Sequence, residues 1–153
     1  MNDLPRKLPI WPGAPSASKP RDHVVQRYGP DCAIAAAATI TGVSYDEASS
    51  VAFSLREEGL GGMRPDNMIK LLERITDCPW RMKSVIRSWI RLRDKTFPDE
   101  LVVANIVHPW WSRAHAIVAR NQRIYDGTID KPVSTQDHPL MKWYVAILFI
   151  RGV

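Results

Sequence analysis

The chain has 153 residues, 45% of them hydrophobic and 24% charged, with a formal net charge of +5 and a pI of about 9.5. That length supports one domain that buries most of its apolar surface and excludes two ordinary ones. No stretch reaches the roughly 18 to 20 apolar residues of a membrane-spanning helix, and the opening MNDLPRKLPIWPG lacks the apolar run of a secretory signal. A cytoplasmic protein without a membrane anchor is therefore expected.

Residues 1–22 carry Pro5, Pro9, Pro12, Pro15 and Pro20 with little periodicity, which favours an extended arm over helix or central strand. Leu8, Ile10 and Trp11 give this arm apolar contacts to offer, either to its own domain or to a protein partner. The domain proper is expected over residues 23–153.

Gln26 to Thr41 reads QRYGPDCAIAAAATIT. Gly29-Pro30 is a turn signal, and the small residues after Cys32, including four consecutive alanines from Ala35 to Ala38, predict a buried helix of about three turns. Cys32 then stands at a helix N-terminus, where unpaired amides and the positive end of the helix dipole favour thiolate over thiol. Gln26, six residues upstream, can fold its amide N–H back beside the thiol to meet an oxyanion.

Gly42 suits a helix C-cap, and Ser44 with Glu47 makes a capping box for a second helix running to about Glu58. Leu60-Gly61-Gly62-Met63 follows as a helix-ending loop. Met68, Ile69, Leu71, Leu72 and Ile75 then predict a third helix from about Pro65 to Thr76, with Pro79 blocking its extension. Residues 80–88 suit a strand, 89–95 are ambiguous, and Leu101 to Val107 is an apolar strand. Trp143 to Arg151 supplies the last one.

Ala114 to Ala119 and Gln122 to Asp126 predict a hairpin around Asn121. With Arg120-Asn121 as its loop, His115 stands directly opposite Asp126, at a spacing that lets a carboxylate orient an imidazole. A loop shifted by one puts Thr128 opposite His115 and leaves Asp126 diagonal, still within reach. His23, His108 and His138 compete as bases, and of these only His108 falls in the same region of sequence.

Gln26, Asp31, Cys32 and the small-residue helix resemble the Q-x4-D-C signature of peptidase C39-like proteins, within the papain-like cysteine peptidases. HAIVARNQRIYDG resembles that family's histidine strand and following acidic strand, so the resemblance runs from about Val24 to the C-terminus. It implies Cys32 as nucleophile, His115 as base, Asp126 as the residue that orients it and Gln26 as oxyanion donor. The fold it implies is α+β and papain-like, with N-terminal helices packed on a C-terminal antiparallel sheet.

The function expected on this footing is a cysteine hydrolase, and specifically a peptidase acting on a peptide or protein substrate. A papain-like binding or assembly module without turnover, and a cysteine acyltransferase, are the alternatives. No cofactor is called for, and no metal site is expected, because neither Cys32 nor Cys78 has a second Cys or His at ligand spacing. Cys78 is read as structural. The basic stretch Arg81, Lys83, Arg87, Arg91, Arg93 and Lys95, with Trp89 among them, is read as a solvated face and not as a nucleic-acid surface.

Overall fold

The computed structural model describes residues 32–57, 64–110 and 113–152. The arm of residues 1–22, Gln26, Asp31 and the loop from Leu60 to Met63 lie outside the described residues. Within those described, the helices are α1 (Cys32–Thr41), α2 (Tyr45–Glu57) and α3 (Pro65–Thr76). The strands are β1 (Trp80–Ser84), β2 (Val102–Val107), β3 (Ala114–Arg120), β4 (Arg123–Tyr125), β5 (Val133–Ser134) and β6 (Tyr144–Arg151). These strands form one antiparallel sheet in the order β1-β6-β2-β3-β4-β5, so the class is α+β.

Every residue of α1 after Cys32 is buried, as a helix apolar on all sides requires. It packs on β3 and β2 below and against α2 and α3 alongside. The alanines permit this: Ala35, Ala37 and Ala38 are wholly inaccessible and present only methyl groups to the surrounding layers. Gly42 ends the helix with φ 84, its N–H bonded to the Ala38 carbonyl at 2.9 Å.

The capping box forms as the spacing predicts: Ser44 Oγ accepts the Glu47 N–H at 3.1 Å, and Glu47 Oε1 accepts the Ser44 N–H at 3.3 Å. Helix α3 starts at Pro65 and stops where Asp77 turns left-handed, with φ 57, its N–H returning to the Glu73 carbonyl. One hydrophobic cluster lies on the helix side of the sheet, with Val103, Ala116, Val118 and Phe149 facing the helices. A second lies on the other side, where Leu92, Phe97, Leu140 and Trp143 from the loops cover Val102, Ile117, Ile124, Val145 and Leu148.

Two expectations are corrected. The strand read over residues 80–88 ends at Ser84; a 3-10 turn follows at Ile86–Ser88, and Trp89 closes it with φ 51. The Val85 N–H still bonds the Ala146 carbonyl at 2.8 Å, one step further along the β1–β6 register, and the chain turns off the sheet edge after it. The hairpin loop is Asn121-Gln122 and not Arg120-Asn121, since Arg120 pairs with Arg123 and Val118 with Tyr125. Asn121 takes φ 55, a left-handed conformation that asparagine tolerates well, and the Arg120–Arg123 pairing makes it the first loop residue. The direct His115–Asp126 pairing is thereby excluded, and the shifted register is the one observed.

Candidate active site

Cys32 opens α1 and meets β3 at its start, where the Ala116 N–H donates to Sγ at 3.4 Å. The His115 side chain, one residue before Ala116, stands beside the thiol, close enough to lower it. His115 gives its Nε2 to Asp126, 2.8 Å from Oδ1 and 3.0 Å from Oδ2. With Nε2 so engaged, Nδ1 is the ring nitrogen left for the sulfur. Cys32, His115 and Asp126 thus stand in succession as thiol, imidazole and carboxylate, the last two joined by hydrogen bonds.

Asp126 reaches this position although β4 ends one residue earlier. A local turn holds it: the Thr128 N–H donates to Oδ1 at 2.8 Å, the Thr128 hydroxyl does so at 2.9 Å, and the Ile129 N–H bonds the Asp126 carbonyl. This is an Asx-type turn, in which an aspartate side chain accepts from the backbone two residues on. The diagonal carboxylate is therefore aimed by its own loop, without help from strand pairing.

His138 enters the sequence analysis only as a competing base, and its contact with Asp126 is what sequence reasoning missed. It is 2% exposed, and its Nε2 lies 2.5 Å from Asp126 Oδ2. Its Nδ1 accepts the Leu140 N–H at 2.9 Å, which leaves the ring proton on Nε2 as donor to the carboxylate. The 127–143 segment has no periodicity, and nothing in it signals that its one histidine returns to the acidic residue twelve positions earlier. His108 lies elsewhere, its Nδ1 accepting the Trp110 N–H and its ring stacked edge-on against Trp143.

The charges reinforce one another. Burial pushes the Cys32 thiol up, but the hydrogen bonds from His115 and the Ala116 amide, with the imidazolium charge, hold it below its ordinary value. Burial likewise disfavours a charged His115, yet its bonds to Asp126 and Cys32 outweigh this and raise the ring from 6.5 to about 9. Asp126 is also buried, but the bonds from His115, His138 and Thr128 keep its carboxyl well below the usual carboxylate range. The lowered thiol and the raised imidazole both move the pair toward thiolate and imidazolium, with the Asp126 carboxylate behind them.

No cluster of three or more His, Cys, Asp or Glu side chains among the described residues is arranged to hold a metal. Cys78 is half-buried and its Sγ bonds the Thr76 hydroxyl at 3.2 Å. Of the basic stretch, Arg81, Lys83, Arg87 and Arg93 are exposed, while Arg91 lies over the Tyr144 ring. No helix among the described residues is long and apolar enough to cross a membrane.

No protein-family model matches the chain, and no curated protein matches it either.

Proposed function

We propose that this protein is a papain-like cysteine hydrolase, and specifically a peptidase, resembling the C39-like group. The observation that carries the reading is the Cys32–His115–Asp126 succession, with the thiol lowered and the imidazole raised toward an ion pair. The Cys32 thiolate attacks the substrate carbonyl carbon and forms a thioester as the C–N bond breaks. His115 Nδ1–H gives its proton to the departing amine, then takes one from the water that hydrolyses the thioester. Asp126 keeps the ring proton on Nε2 and stabilises the imidazolium. The Cys32 backbone N–H, at the start of α1, and the Gln26 amide stabilise the oxyanion.

Peptide-derived acylating probes and a pool of unstructured peptides test the reading. Probe attached to Cys32 in the native chain, lost in His115→Ala, together with new peptide termini, is the expected outcome. Acylation without cleavage, relieved by added amines, would assign an acyltransferase instead. A Cys32 that is no more reactive than Cys78 would leave a binding module as the reading.

A further inference from the structure

Asp126 receives donors on both of its oxygens. Thr128 supplies two to Oδ1, His138 supplies one to Oδ2, and His115 Nε2 spans the pair. Among the described residues Oδ2 meets His138 at 2.5 Å and His115 at 3.0 Å, so the shorter contact, from His138, holds the plane in which Asp126 meets His115. His138 is well suited to the task, because its own orientation is set by backbone: Nδ1 accepts the Leu140 N–H, and its carbonyl accepts the Met141 N–H at 3.0 Å. A buried imidazole held in this tautomer donates to a carboxylate without bringing a second positive charge to the site.

We propose that His138 is a positioning residue of the Cys32 site, a neutral donor that fixes the Asp126 carboxylate and through it the His115 ring. The proposal rests on the thiol-hydrolase reading above and adds a fifth residue to Cys32, His115, Asp126 and Gln26. Among the described residues, the titratable groups that His138 meets are Asp126, at the end of β4, and through that carboxylate His115 of β3. Asp137, its neighbour in the same loop, is exposed. Loss of the donor leaves a buried carboxylate with an oxygen less well satisfied, so Asp126 takes up a proton more readily. A less firmly held imidazolium also stabilises the thiolate less. Both effects move in the same direction on the acid side.

The test is the rate of Cys32 alkylation by chloroacetamide against pH on the full chain, followed by mass on the Cys32 peptide so that Cys78 does not contribute. In His138→Leu the acid limb should move up by about one pH unit, and in His138→Gln, whose amide restores a donor near the Nε2 position, it should return toward wild type. A folded His138→Leu with an unmoved limb overturns the proposal while leaving the hydrolase reading intact. A wild-type limb at the free-thiol position removes both. Should His138→Leu not fold, histidine 15N resonances of the wild-type chain decide: a proton on Nε2 and none on Nδ1 of His138 at neutral pH is required, and the opposite tautomer overturns the assignment.

Discussion

The backbone N–H of Ala116 points at the sulfur of Cys32 from 84 residues further along the chain. This bond registers the first turn of α1 against the first residues of β3, so the thiol and the imidazole are positioned by a main-chain contact and not by flexible side chains alone. Substitution of Ala116 by any residue except proline keeps this donor, whereas displacement of the strand removes it. The site is therefore sensitive to the seating of α1 on the sheet.

Turnover should follow a bell-shaped profile set by the ion pair. The acid limb should fall below the ordinary thiol value, because the Cys32 thiol is held down. The alkaline limb should lie near 9, where His115 loses the proton that the leaving amine needs. Initial rates across pH 4 to 11 check this, and an alkaline limb near the ordinary histidine value of 6.5 would contradict it.

Asp126→Asn should lower turnover on the order of 10²- to 10⁴-fold and draw the alkaline limb to lower pH, since the carboxylate is what raises His115. It should also cost about 1 to 3 kcal/mol of stability, because an amide turns an N–H toward a site lined by donors. Asp130→Asn, at an exposed position of the same loop, should leave both quantities unchanged. Denaturant midpoints and rates on the two variants separate these outcomes.

Thr128→Val keeps the N–H bond to Asp126 Oδ1 and deletes the hydroxyl bond. A loss of about 1 kcal/mol is expected, or roughly 2 to 4 °C in a thermal melt of a chain this size. Because the carboxylate retains its other donors, turnover should fall only modestly. A loss as deep as that of Asp126→Asn would mean that the hydroxyl, and not the turn, holds the acid in place.

Stability should depend on pH at both ends. Asp126 is depressed in the folded state, so its contribution is present above about 3.8 and is lost as pH falls below that. His115 is raised, so its contribution is full below 6.5, declines above it and is gone once pH exceeds about 9. The gap in melting temperature between wild type and His115→Gln should accordingly narrow from pH 6 to pH 10. A gap that widened over that interval would reverse the sign of the His115–Asp126 interaction.

Local chemistry was the legible part of this chain. The alanine run, the Ser44–Glu47 box and the proline-bounded third helix each specify their elements through short-range interactions, and each forms at the expected place. The thiol, the imidazole and the carboxylate were visible as residues, and their meeting was foreseen. Two registers stayed open, because Arg120-Asn121 and Asn121-Gln122 offer similar turn chemistry, and only the pairing of Arg120 with Arg123 decides for the shifted one. The placing of β6 between β1 and β2 is a long-range pairing that no local pattern encodes. His138 was passed over for the same reason: its importance comes from where a loop without periodicity returns.

The wholly buried Ala35, Ala37 and Ala38 couple inheritance at the site to inheritance behind it. A codon change at any of the three that adds even a few carbons must lift α1 from its neighbours, and the lift is delivered to Cys32 at the helix's leading end. Descendants of this chain could thus lose reactivity while every residue that touches the reacting atoms is retained. Inspecting the reactive side chains alone would misjudge such a lineage, and the reliable sign of a silenced copy would be a bulkier residue within the alanine run.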